Sequence, residues 1–473
     1  MSKKKLLGLI AGLATFAVML LLPAPEGMTP KAWHMVAVVA LIAIWWITEA
    51  TRLFVTALLP IVLLPIFGIT PASEVTEAYG NQAIYLFLGG FMIAIAMERS
   101  GLHKRFALHI VRIIGFTPQR IILGFMLAVF VLSMWVSNTA TVLMVIPICM
   151  AIVSHLPQEA DDPERNRPFT KVLLLSIAYA ASIGGAATLI GTPPNIIFAS
   201  IISEHAHLHV SFLEWMAFAL PVTFVLLLLT WFMLVYLLYP VGRMKLAFNR
   251  KLIDTSIKEL GPMNSYEWRI LGLFGTVAGL WMARGLIEID LFTQVISDTT
   301  IAIFGAIALF LIPTGQAPDQ KLLDWEAARN LPWNTLLLFG GGLALSKGVT
   351  TSGLNDYLVA MFESLETLDW WLVLLIVAAA VVFLTELISN TAAAALLIPV
   401  MISAATAMEV DPLLLVIPTT IATSFAFMLP VATPPNAIVY GTNQLRIGDM
   451  VRSGFWLNIL SIIVLVLAAL IFL

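Results

Sequence analysis

Hydrophobic residues along this chain gather in long runs rather than in short alternating stretches. Runs of spanning length stand at 6–23, 33–48, 53–69, 80–98, 172–202, 212–239, 268–284, 299–313, 333–350, 412–441 and 453–473. Two further runs, 119–154 and 370–408, are interrupted near their centres by Ser-Asn-Thr. A bilayer span needs about 20 apolar residues, so the uninterrupted runs predict about 11 transmembrane helices. The longest polar stretches, near 155–171, 242–267 and 314–332, are too short to fold alone. The pattern therefore predicts an all-α polytopic membrane protein whose function is housed within the membrane. Lys3, Lys4 and Lys5 precede the first run as they would a signal peptide, but no small-residue cleavage site follows at Pro23–Pro25. A retained first helix is expected.

The arms of the interrupted run 119–154 measure roughly 27 and 23 Å as helices, short for a span, and their flanks are polar on one side only. Re-entrant helical hairpins are expected at 119–154 and 370–408, each with its tip buried at mid-depth. Backbone that leaves the helix at that depth must line a protein cavity.

Composition agrees with the pattern. Only 11% of the 473 residues are charged, against roughly 25% in soluble chains, and mean hydropathy is +0.97. The net charge of −3 argues neither for nor against a charged partner. Cys149 is single, so an internal disulfide is excluded. Sorting the basic residues fixes a topology. With the N-terminus cytoplasmic and both hairpins entering and leaving on one side, all 25 except Lys31, Arg284 and Lys347 fall in cytoplasmic segments. The C-terminus then lies outside.

The chain also repeats itself. Ser137-Asn138-Thr139-Ala140 recurs as Ser389-Asn390-Thr391-Ala392, 252 residues later. At the same offset Ser100-Gly101-Leu102 matches Ser352-Gly353-Leu354, and Pro147 matches Pro399. Thr192-Pro193-Pro194-Asn195 recurs as Thr433-Pro434-Pro435-Asn436, 241 residues apart. One repeat contains an odd number of crossings, so the second copy is inverted, a plan common among secondary transporters.

Ser, Asn and Thr cap helix N-termini, so each tip offers free N–H groups and the positive end of a dipole to an anion. Their oxygens suit a hard cation such as sodium. Pro at a first helical position, preceded by a residue that avoids helix, predicts broken helices at 172–202 and 412–441. Gly184, Gly185 and Gly191 are expected to loosen the first break, and Pro430 the second. No Lys or Arg lies in any of the four motif copies, so helix ends and bound cations would serve an anion instead. Glu386, an acid deep in an apolar run, is open to a structural or a coupling role. His205, His207 and His209 resemble a metal patch, but loop polarity explains them better. Nothing matches a His-Glu-x-x-His pair, a Gly-x-Ser-x-Gly elbow or an intramembrane Asp pair, so no enzyme is expected. A channel would be separated from a carrier by its flux kinetics.

Paired Ser-Asn-Thr tips with paired Thr-Pro-Pro-Asn breaks closely resemble the divalent anion/sodium symporter family, which includes sodium–dicarboxylate cotransporters. The resemblance covers nearly the whole chain. It implies a homodimer in the cell (inner) membrane working by elevator-like alternating access, with scaffold parts at 1–115 and 245–368 and transport parts at 116–244 and 369–473. It implies that Asn138, Thr139, Asn390 and Thr391 hold substrate carboxylates, helped by Thr433 and Pro434. One sodium ion would sit near Ser133, Ser137, Asn138 and the Gly-rich break, another near Thr385, Ser389, Asn390 and Ala432. Intact Thr in both triplets resembles the dicarboxylate branch more than the sulfate branch, which implies C4 substrates such as succinate, malate and fumarate. Some members resemble sodium-independent exchangers, and the complete triplets favour symport over that alternative.

Overall fold

Away from water, backbone N–H and C=O groups must pair within their own segment, so apolar runs close into helices. The computed structural model describes residues 3–154, 166–205, 208–241, 250–286, 296–317, 319–363 and 368–473. Among these, all regular elements are helical apart from one isolated bridge, Pro313 to Lys321. The first half runs α1 (Lys3–Leu21), α2 (Pro30–Thr48), α3 (Leu53–Thr56), α4 (Leu59–Ile66), α5 (Ala72–Ala78), α6 (Gln82–Ser100) and α7 (Leu102–Ile114). It continues through α8 (Pro118–Ser133), α9 (Asn138–Ser154), α10 (Arg167–Ala186), α11 (Pro193–His205) and α12 (Phe212–Phe232), the last extended by a π-helical turn. The second half holds α13 (Arg250–Glu259), α14 (Ser265–Leu286), α15 (Asp298–Leu311), α16 (Trp325–Ala328), α17 (Trp333–Thr351) and α18 (Leu354–Phe362). It ends with α19 (Trp370–Leu384), α20 (Asn390–Ala407), α21 (Pro412–Thr423), α22 (Pro434–Tyr440) and α23 (Ile447–Phe472).

Among the described residues, six segments are individually long and apolar enough to cross a bilayer: Pro30–Thr48, Ala72–Ser100, Arg167–Ala186, Phe212–Leu238, Asn390–Ala407 and Ile447–Phe472. Shorter apolar helices supply much of the rest. The run 53–69 is not one continuous helix. Pro60 and Pro65 each remove a backbone donor, and the chain divides into α3 and α4 around Leu58. The runs 172–202 and 412–441 are each two helices, unwound over 187–192 and 424–433. The interrupted runs are the helical hairpins α8–α9 and α19–α20.

The repeat is visible in the joints. Gly101 (φ 79°) and Gly353 (φ 77°) adopt the left-handed backbone that turns α6 into α7 and α17 into α18. Beside each, a serine makes the same two bonds. Ser100 donates to Met97 O (2.9 Å) and accepts from Leu102 N–H (3.3 Å). Ser352 donates to Val349 O (3.0 Å) and accepts from Leu354 N–H (3.3 Å).

Ion pairs gather the segments at the two ends of the helices. At one end Arg99 meets Asp324 (2.9 Å), Arg105 meets Glu267 (2.9 Å), Arg112 meets Asp254 (3.0 Å) and Lys171 meets Asp449 (2.7 Å). At the other end Arg284 meets Asp298 (3.2 Å), and Lys347 meets Glu74 (3.6 Å) and Glu77 (3.5 Å). Arg165, Arg243 and Lys245 lie outside the described residues.

Candidate functional site

The second arm of each hairpin starts at its motif. Thr141 N–H bonds to Ser137 O (3.0 Å) and Ala393 N–H to Ser389 O (2.9 Å), so both serines stand in the N-cap place. The Ser137 hydroxyl also accepts from Ala140 N–H (3.3 Å), whereas that of Ser389 makes no cap bond. In both tips the first-turn N–H groups have no acceptor one turn back, and they point with the positive end of the helix dipole.

The breaks are held open by a device used twice. Asn195 Nδ2 donates to Gly185 O (3.3 Å), Ala186 O (3.3 Å) and Thr188 O (2.7 Å). Asn436 Nδ2 donates to Ala426 O (3.0 Å) and Leu429 O (3.0 Å). Positions 185 and 426, like 188 and 429, correspond under the 241-residue offset. Each asparagine is fully buried and satisfies carbonyls that the broken helix has freed. Thr433 caps α22 by accepting from Asn436 N–H (3.3 Å). The glycines act differently from expectation. Gly184 and Gly185 are the last helical turn of α10, and their missing Cβ atoms admit the Phe130 backbone and the Asn138 amide, while Gly191 lies against Gly185 O.

These elements converge on one cavity of about 1250 Å³. Ser137, Asn138, Thr139, Ser389, Asn390, Thr391, Ala432, Thr433 and Pro434 all line it. Thr192 and Pro193, the counterparts of Thr433 and Pro434, line it too, a contribution the repeat pointed to but the residue assignment left out. Ser133 and Thr385 do not reach the cavity. They are fully buried behind the tips. Trp46, Phe54, Phe87, Phe91 and Leu338 form much of the facing wall, and Glu49, Arg52, Glu98 and Lys5 lie toward the mouth. Among the described residues, Lys5 and Arg52 are the only basic ones in the lining, and neither stands among the tips.

Behind the first tip, Ser133 Oγ and Asn138 Oδ1 are buried oxygens without a donor in the protein. Hard oxygen atoms left in this way suit a cation of sodium's kind. Behind the second tip, the Thr385 hydroxyl lies 2.6 Å from Asn390 Oδ1 and 2.8 Å from Thr423 O. The two oxygen sets are equivalent in sequence but differ in their bonding.

Glu386 has a structural task. Its Oε1 accepts from Phe427 N–H (2.6 Å), Met428 N–H (2.8 Å) and Asn458 Nδ2 (3.0 Å), and its Oε2 from Leu429 N–H (3.1 Å). It thereby pins the unwound stretch of the second broken helix. At the corresponding place in the first half, Met134 O accepts from the Thr188 hydroxyl (2.5 Å). His205 belongs to the last turn of α11 and faces Ser346, His209 pairs with Ser203, and His207 lies outside the described residues. Among the described residues no three His, Cys, Asp or Glu side chains are grouped for a metal.

Comparison with known proteins fits this geometry. Residues 3–473 match the family model described as the sodium:sulfate symporter transmembrane region. The chain is 43% identical over 468 residues to the sodium-dependent dicarboxylate transporter SdcS of Staphylococcus saprophyticus, covering 98% of this chain and 90% of that one. It is 43% identical over 471 residues to the protein of the same name from Staphylococcus aureus strain USA300, covering 98% and 91%. The fold resembles the crystal structure of the Alcanivorax borkumensis YdaH transporter, with a TM-score of 0.57 and 15% identity over 99% of this chain and 98% of that one.

Proposed function

The chain belongs to the sodium:sulfate symporter family, and from that premise we propose that it is a sodium-coupled secondary transporter of C4 dicarboxylates such as succinate, malate and fumarate. The observation that carries the reading is the convergence of four helix N-termini, at Asn138, Pro193, Asn390 and Pro434, on a cavity with no basic residue among the tips. A dicarboxylate spans two such ends naturally, one carboxylate to Asn138 and Thr139, the other to Asn390 and Thr391. Thr433 and the backbone at Pro434 would complete its lining.

A dianion held by neutral donors needs countercharge. Cations at Ser133, Ser137 and Asn138, and at Thr385, Ser389, Asn390 and Ala432, would supply it from behind the tips. Binding of either ion then favours binding of the other, which is the thermodynamic basis of coupling. The relatives named as sodium-dependent dicarboxylate transporters support this choice of ions. The segments 116–244 and 369–473 would carry the site as a moving unit against a scaffold of 1–115 and 245–368, within a homodimer. The protein would lie in the cell (inner) membrane with its N-terminus cytoplasmic and its C-terminus outside. On that orientation the cavity, with Lys5 and Arg52 toward its mouth, faces the cytoplasm.

The test is radiolabelled succinate uptake into proteoliposomes, driven by an inward sodium gradient or by internal succinate alone. Accumulation under the sodium gradient is expected. Accumulation only with internal succinate would replace symport by exchange. Asn138→Ala and Asn390→Ala should each abolish uptake in protein that remains folded, and wild-type kinetics in both would remove these residues from the site.

A further inference from the structure

The cavity lies between two groups of elements. One wall carries the hairpin tips and the breaks, including the start of α11. The other carries α6 and α17, which line it with Phe87, Phe91, Glu98, Asn334 and Leu338. Both α6 and α17 extend past the cavity to the end opposite its mouth, and there they bind α11 directly. Asn81, the N-cap of α6, is the centre of this contact. Its Oδ1 accepts from Ala83 N–H (2.9 Å), which caps its own helix, and also from the Ser200 hydroxyl (2.8 Å) of α11. Its Nδ2 donates to Glu204 Oε1 (2.7 Å), one turn further along α11. On α17, Ser346 meets His205 of α11 at 3.1 Å. His205 Nδ1 lies 3.1 Å from Ile201 O, and its Nε2 lies 3.1 Å from both the carbonyl oxygen and the hydroxyl of Ser346.

A site served from alternate sides must open at the end where these bonds close it. We propose that Asn81–Ser200–Glu204 and His205–Ser346 form a closing latch on the face opposite the cavity mouth, and that Asn81 sets the balance between the two access states. This rests on the transporter reading above only in assuming that the cavity changes sides. Neighbouring charges do not perform the same task, because Lys347 pairs with Glu74 and Glu77, on the same side of the boundary as Ser346.

Asn81→Asp tests the latch selectively. It keeps the oxygens that cap α6 and receive Ser200, but it replaces the donor to Glu204 with a second carboxylate. The readout is the rate at which an impermeant maleimide outside intact cells modifies Ala437→Cys, a position exposed in the cavity. The native Cys149 is fully buried and stays in place. Loss of one such hydrogen bond is worth about a 3- to 10-fold shift between states. Asn81→Asp and Ser346→Ala should each raise the external labelling rate by about that factor. Adding Glu204→Gln to Asn81→Asp restores a donor across the boundary and should return labelling to the parent rate. A purely structural role for Asn81 would not be rescued by exchanging its partner. Unchanged labelling in both single variants, or failure of the Glu204→Gln rescue in folded protein, would overturn the latch. Because the assay reads accessibility, it stands even if succinate proves not to be the cargo, an outcome the uptake assay alone decides.

Discussion

Gly185→Ala places one methyl group between a broken helix and a hairpin tip. A Cβ there would stand 2.6 Å from Asn138 Oδ1, 2.8 Å from Nδ2 and 3.1 Å from Cγ. Ordinary van der Waals contact begins near 3.4 Å, so the amide must retreat by roughly 0.8 Å to relieve the overlap. Gly185 is helical, and alanine gains about 1 kcal/mol of helix propensity over glycine. That gain offsets part of an overpacking cost of about 1–3 kcal/mol, and the fold should survive. The Asn138 oxygen should not keep its place. A ligand oxygen moved by a large fraction of an ångström through its supporting neighbour weakens a metal site by about 10- to 100-fold. The expected result is a sodium half-saturation for succinate uptake raised by about that factor, with melting shifted by only a few degrees. Gly184→Ala is the control. Its Cβ would meet the Phe130 carbonyl and Cα, which cannot rotate aside, so it should lower stability as well as transport. A wild-type sodium half-saturation in folded Gly185→Ala would refute the placement of Asn138 in the cation site.

Asn436→Ala leaves the carbonyls of Ala426 and Leu429 unpaired and should cost about 1–3 kcal/mol, read as a lower melting temperature together with lost uptake. Glu386→Gln keeps one oxygen for Phe427 and Met428 N–H but turns an NH2 toward Leu429 N–H, and a loss of about 1–3 kcal/mol is expected in chemical or thermal unfolding. Thr385→Ser keeps the hydroxyl between Asn390 and Thr423 and should retain sodium dependence, whereas Thr385→Ala should lose it; equal behaviour of the two would exclude that oxygen as a ligand. Arg105→Met strands the buried Glu267 carboxylate and should destabilise by about 3–5 kcal/mol, measurable as reduced yield and melting temperature.

Much of the site was legible because it was written twice. Ser, Asn, Thr and Pro are minority residues in an apolar chain, so their recurrence at matched offsets located the tips and the breaks together. What the repeat could not convey was bonding. Asn195 and Asn436 were visible as motif letters, but their work is done by carbonyls 7 and 10 residues away, freed only once the helix unwinds. The unlike bonding of Ser133 and Thr385 was hidden for the same reason, since both present a hydroxyl at matched positions of the repeat. The division of 53–69 was within reach, because Pro60 and Pro65 stand in plain view, yet hydropathy counts proline in an apolar run without marking its missing donor. The Asn81–Glu204 contact joins residues 123 positions apart with no counterpart in the repeat, so neither periodicity nor symmetry signalled it.

Two halves alike in every bond would give a carrier whose two access states are related by a two-fold rotation, equal in energy by symmetry. Glu386 removes that equality. One break is tethered by a neutral hydroxyl on a carbonyl, the other by a carboxylate gripping three amides. Symmetry then no longer obliges the empty protein to rest equally on both sides of the membrane, nor its inward and outward half-cycles to share one rate. Thermodynamics fixes only the overall equilibrium around the cycle, and this difference between the repeats joins the Asn81 contacts in deciding the side on which the carrier waits.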